Sequence, residues 1–97
     1  MRTFYPLFLK EKTMDLQQQF QEAAASSKTL PQKPSNEVLL KLYAFYKQAT
    51  EGDVNIDAPA NPFDFVAKAK YNAWEELKGV SKESAMEDYV NLVNSMK

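Results

Sequence analysis

Leu39-Leu40-Lys41-Leu42-Tyr43-Ala44-Phe45-Tyr46-Lys47-Gln48-Ala49-Thr50 (residues 39–50) is the stretch on which the reading of this chain turns. Its apolar positions, with Val38 before them, recur at helical spacing. Pro34 followed by Ser35-Asn36-Glu37 supplies a capping residue and an acidic first turn. Gly52 stands where a helix stop belongs. A helix is therefore predicted to about Glu51. On it Tyr43, Tyr46 and Lys47 fall at i, i+3 and i+4 and share one face. Leu39 lies one turn below them. That face suits an amphipathic ligand with a phosphate, a ring and an apolar tail. Core tyrosines with tethered hydroxyls and a solvated lysine are the plainer account of the same spacing. The segment alone leaves both open.

The same punctuation continues outward. There are only two glycines, Gly52 and Gly79, and each follows a helix-like pattern. The prolines at 31, 34, 59 and 62 fall between the periodic segments, and Pro6 lies near the N-terminus. A first helix is predicted over about Asp15–Ser27, with Leu16, Phe20, Ala23 and Ala24 as its apolar stripe. Residues 53–63 read as a long loop. A third helix begins near Asp64 and passes Phe65, Ala69, Tyr71, Ala73, Trp74 and Leu77 before Gly79. Ser81 caps a fourth, whose apolar face runs from Ala85 and Met86 through Tyr89, Val90 and Val93 to Met96. The expectation is an all-α, four-helix bundle.

Residues 1–13 stand apart as an N-terminal leader ahead of a domain over 14–97, and Met14 is an alternative start. The apolar run is broken by Pro6 and leads straight into Lys10-Glu11-Lys12, unlike a secretory signal. It is also far short of the about 18 apolar residues that a membrane span needs. A cytoplasmic protein without a transmembrane segment is expected.

Composition narrows the chemistry further. The 97 residues contain no cysteine and no histidine, which excludes disulfide scaffolds, Cys/His zinc sites, Cys nucleophiles and His-based triads. Twelve Lys and Arg against thirteen Asp and Glu leave a net charge of −1, without the basic excess of a nucleic-acid binder. Asp53-Val-Asn55-Ile-Asp57 opens like a calcium loop, but Ala58 and Asp64 stand where that loop requires Gly and Glu. No metal site, no cofactor and no catalytic residues are expected, and the chain is read as a non-enzyme. Lys70 and Trp74, at i and i+4, repeat the lysine-by-aromatic pattern, with core Trp and solvated Lys again the plainer account.

Three stretches taken together are more specific. They are Tyr43 to Thr50 with Gly52-Asp53, Lys68-Ala69-Lys70-Tyr71-Asn72-Ala73-Trp74 with Glu76 to Gly79, and Ser81-Lys82-Glu83 leading to Tyr89. In this order and spacing the chain resembles the acyl-CoA-binding proteins over about residues 16–96. The resemblance implies an up-down-down-up bundle that holds one medium- to long-chain fatty acyl-CoA and carries and pools it without catalysis. It implies that Tyr43, Lys47 and Lys70 meet the 3′-phosphate of CoA and that Tyr46 and Tyr89 flank the adenine. Lys28 would sit near the head group, with Lys33 adding positive potential. Phe20, Ala24, Leu39 and Leu40 would line the acyl trough. Val66, and Ala58 before the first loop proline, replace residues that are commonly basic in the family. Tyr71 replaces an aromatic that is often Trp, and the loop is one residue longer. The partner is thus long-chain acyl-CoA, with no nucleic acid. A monomer is expected, with Phe4, Tyr5, Leu7, Phe8 and Leu9 of the leader able to lie in the bowl of their own chain or in a neighbour's, the latter being the route to self-association. The rival reading is a helical protein-interaction module that takes a hydrophobic segment in the same bowl.

Overall fold

Four side chains start four helices. In a computed structural model that describes residues 15–97, the helices are α1 (Leu16–Ser26), α2 (Asn36–Glu51), α3 (Phe65–Glu75) and α4 (Lys82–Ser95). The side chains of Asp15, Ser35, Asp64 and Ser81 each accept from the amide three residues on, at 2.8–3.2 Å. Each satisfies an amide that the helix itself leaves unpaired, worth about 1 kcal/mol. The expected 1–13 leader lies outside the described residues.

Helix ends follow from glycine and from tightening of the backbone. Gly52 has φ +82°, and its N–H donates to Gln48 O at 3.0 Å, closing α2. α1 tightens into a single 3₁₀ turn over Ser27–Thr29. α3 is shorter than its pattern predicts. After Glu75 the backbone switches to i+3 bonds, Leu77 N to Trp74 O and Lys78 N to Glu75 O, before Gly79 turns at φ +92°. Leu77 keeps its apolar spacing but sits in a turn.

Contacts between residues fix the directions. Phe20, in the first half of α1, stacks on Tyr46, late in α2, while Ser27 faces Leu39 and Tyr43. α1 and α2 therefore run oppositely. Lys70 lies over Tyr43, and Lys47 over Trp74, so α2 and α3 run the same way. Gln48, late in α2, bonds to Val80, just before α4, so α4 reverses. The order is the up-down-down-up bundle expected. Two parallel neighbours cannot share a tight turn, which explains the long return over residues 52–64.

α1 packs on α4, α4 on α2, and α2 on α3. The core joins Phe20 and Ala23 to Leu42, Ala49, Ala85, Tyr89, Val90 and Val93. α3 lies outside that cluster and is anchored by Trp74, which is fully buried. A polar latch closes this end. Buried Gln48 donates through Nε2 to Asp53 Oδ1 at 2.9 Å and to Val80 O at 2.8 Å. Gly79 N–H donates to the same Asp53 oxygen at 2.8 Å, and Trp74 Nε1 donates to Gly52 O at 2.9 Å. The ends of α2 and α3 and the start of α4 are thereby joined at one point.

Candidate functional site

The polar face of α2 is where the fold leaves aromatic rings and cations uncovered. Tyr43, Tyr46 and Lys47, with Leu39 and Leu42 from α2, Ser27 from the 3₁₀ turn and Tyr89 from α4, line an open bowl of about 410 Å³. Behind it Phe20, Tyr46 and Tyr89 form a ring cluster. Phe20 stacks on Tyr46 at 5.4 Å and meets Tyr89 edge-on at 5.1 Å. The Tyr89 hydroxyl donates to Ser27 Oγ at 3.3 Å, which in turn donates to Ala24 O at 2.8 Å. Tyr89 is thus held from the far side of the bowl, while Tyr46 stays 43% exposed.

Leu39 is also one wall of a second hollow of about 370 Å³, lined by Asn36, Leu40, Phe65, Val66, Ala69 and Lys70. This hollow is mainly apolar. Phe65 and Val66 are 72% and 65% exposed although they open α3. Lys70 bridges the two hollows, since its ammonium stands 5.4 Å from the centre of the Tyr43 ring. Lys47 stands 5.1 Å from the centre of the Trp74 indole. The two cations thus come from neighbouring helices, Lys47 of α2 lining the bowl and Lys70 of α3 lining the hollow. A larger groove of about 540 Å³ lies between α2 and α3, but its rim mixes Glu37, Lys41 and Glu76 and lacks the tyrosine cluster.

Charges are set locally. Lys47 forms an ion pair with Glu51 one turn on, and this hydrogen bond raises the lysine pKa while burial opposes it. The Glu51 carboxyl is held low, first by Lys47 and then by Asn55, whose Nδ2 donates to it at 3.2 Å. Asp53 is held low by the Gly79 N–H and then by the Gln48 amide.

Of the residues singled out from sequence, Tyr43, Tyr46, Lys47, Tyr89 and Leu39 share the bowl. Leu40 and Lys70 share the second hollow with Leu39. Lys28 lies exposed on the 3₁₀ turn beside Ser27, and Lys33 is exposed in the link to α2. Phe20 is buried in the core behind the bowl, and Ala24 packs against that core. Neither lines the apolar hollow. The wall of the hollow opposite Leu39 is formed by Phe65, Val66 and Ala69, none of which is singled out from sequence for the trough. Their signal is the parallel register, since 70 − 43 and 74 − 47 both equal 27 and the same offset carries Leu39 to Val66. Glu51 and Asn55 are missed as well, although Glu51 stands at i+4 from Lys47.

Comparison with known proteins places the sequence and the bundle in one family. The family model described as "Acyl CoA binding protein" matches residues 17–93. The chain is 51% identical over 77 residues to acyl-CoA-binding protein homolog 1 of Caenorhabditis elegans, covering 79% of this chain and 88% of that one. It is 50% identical over 80 residues to enoyl-CoA delta isomerase 2 of Rattus norvegicus, covering 82% of this chain but 20% of the isomerase. The crystal structure of Oryza sativa acyl-CoA-binding protein 2 superposes with a TM-score of 0.79 at 44% identity, covering 84% of this chain and 90% of that one. With its bundle and most of its length matched, the chain belongs to the acyl-CoA-binding protein family.

Proposed function

We propose that this protein binds medium- to long-chain fatty acyl-CoA esters and serves as their cytoplasmic, monomeric carrier and pool former, without catalysis. One observation carries the reading: Lys47 and Lys70 stand beside an aromatic bowl that opens, across Leu39, into an apolar hollow. A ligand with a polyanionic head and a long hydrocarbon tail matches both halves.

In this reading Tyr43, Lys47 and Lys70 hold the 3′-phosphate of CoA, by a phenol donor and two ammonium groups. Tyr46 and Tyr89 flank the adenine, and the ring cluster with Phe20 keeps their planes fixed. Lys28 adds positive charge near the head group. The acyl chain runs along Leu39 and Leu40 against Phe65, Val66 and Ala69. Each methylene removed from water contributes about 0.8 kcal/mol. Val66 offers the tail an apolar wall instead of a second cation. The similarity to an isomerase supports a shared binding module, since it spans a fifth of that enzyme and leaves the rest of its length unmatched.

Native mass spectrometry of protein purified from cells tests the reading. The expected species is one chain with one acyl-CoA bound. A bound peptide or a dimer in place of acyl-CoA supports the interaction module, and turnover of an added thioester supports an enzyme. Either result overturns the carrier.

A further inference from the structure

Lys47 already has an anion. Its ammonium pairs with Glu51 Oε2, and the second oxygen, Oε1, accepts from Asn55 Nδ2 at 3.2 Å. The carboxylate is thus held from two sides, by α2 and by the loop that follows it. Glu51 is the last residue of α2, where the helix dipole favours a cation and opposes an acid. Its charge at that position is supported by Lys47 and Asn55 and not by the helix. Lys70 contrasts with this. It rests over the Tyr43 ring and forms no ion pair among the described residues.

We propose that Glu51 is an internal anion that competes with the ligand's phosphate for Lys47, so that binding exchanges one anion for another. This rests on the assignment of the 3′-phosphate to Lys47. An ammonium has three donors and can touch both anions at once. A carboxylate and a dianionic phosphate on one lysine nevertheless repel. Glu51 therefore either gives up its lysine or stays and repels the phosphate, and both lower affinity. Asn55 retains the carboxylate at the rim, so the loop holds the competitor in place. Glu51 is in this way a specificity-determining residue: it sets how much the bowl gains from the 3′-phosphate of the head group.

Calorimetry on the full chain and on Glu51→Gln, with a long-chain acyl-CoA and its 3′-dephospho analogue, tests the exchange. Glutamine keeps the shape and an oxygen for Asn55 but removes the charge. Affinity for the phosphorylated ester should rise about three- to tenfold at ~10 mM ionic strength and the gain should fade toward ~1 M, as screening dictates. The dephospho ester should change by less than about twofold, since it keeps the diphosphate but lacks the 3′-phosphate that competes for Lys47. An unchanged or weakened affinity for the phosphorylated ester, or an equal gain for both esters, overturns the exchange. Lys47→Ala in the same series separates the two levels. If it weakens both esters alike, Lys47 does not read the phosphate and the exchange falls with that assignment. If it weakens only the phosphorylated ester while Glu51→Gln does nothing, the exchange alone fails.

Discussion

α2 and α3 lie side by side along their length, yet their two ends are finished in opposite ways. At the C-terminal end Trp74 and Gln48 are both 0% exposed, and the indole, amide, Asp53 carboxylate and Gly79 N–H close on one another. At the N-terminal end Phe65 and Val66 are mostly exposed, and Lys70 has a ring beneath it instead of a carboxylate. One end directs its indole and amide donors to groups of the chain itself, with Gln48 Oε1 alone left unpaired among the buried side-chain atoms of the described residues. The other holds exposed apolar surface and a lysine that forms no ion pair among the described residues. Stability is therefore expected to depend on the latch, and ligand affinity on the open end.

The sharpest way to break this division is at Trp74. Replacement with Ala removes the one fully buried side chain of α3 together with its bond to Gly52, and should cost about 3–5 kcal/mol in urea unfolding. A loss under 1 kcal/mol would mean that α3 is held elsewhere. Lys70→Ala should do the reverse. Acyl-CoA affinity should fall by about 1.5–3 kcal/mol, the range of a charged hydrogen bond, while stability stays within about 0.5 kcal/mol, as for other exposed positions. Equal effects on binding and stability would erase the distinction between the ends.

A smaller effect is expected at Val66. Val66→Asp places a charge against the proposed tail and should weaken long-chain esters by about 1–2 kcal/mol, leaving short-chain esters nearly unchanged. Loss for all chain lengths alike would move the tail off α3. The smallest effect is a slope. The Asp53 carboxyl is held below its usual range by the Gly79 N–H and the Gln48 amide. A lowered folded-state pKa contributes stability above the unfolded value, near ~3.9, and that contribution is lost as pH falls through the folded value. Thermal midpoints recorded while acidifying below about pH 4 should drop less steeply in Asp53→Asn than in the parent. Parallel profiles would show that the latch carboxylate carries none of the acid sensitivity.

The same division separates what sequence makes legible from what it does not. Caps are local, and Asp15, Ser35, Asp64 and Ser81 announce all four helix starts, as Gly52 announces the end of α2. The face shared by Tyr43, Tyr46 and Lys47 follows from helical geometry alone. Which helix faces it does not. Apolar spacing shows that Phe20 is covered, but the covering partners are Tyr46 and Tyr89 from α2 and α4, settled only by packing. Phe65 falls on the apolar pattern of the third helix, yet it and Val66 are exposed, opposite Leu39 in the parallel register. Leu77 keeps its helical spacing even though the backbone has already tightened into turns. Glu51 is visible at i+4 from Lys47, yet its meaning depends on Lys47 lining a bowl.

Calorimetry across acyl-CoA esters of increasing chain length tests the central claim, that one bowl holds the head and the adjoining hollow holds the tail. Affinity should rise by up to about fourfold per added methylene, following ~0.8 kcal/mol each, until the hollow is filled and the curve flattens. Equal affinity for short- and long-chain esters would contradict a buried tail, and with it the assignment of the Leu39, Leu40, Phe65 and Val66 hollow.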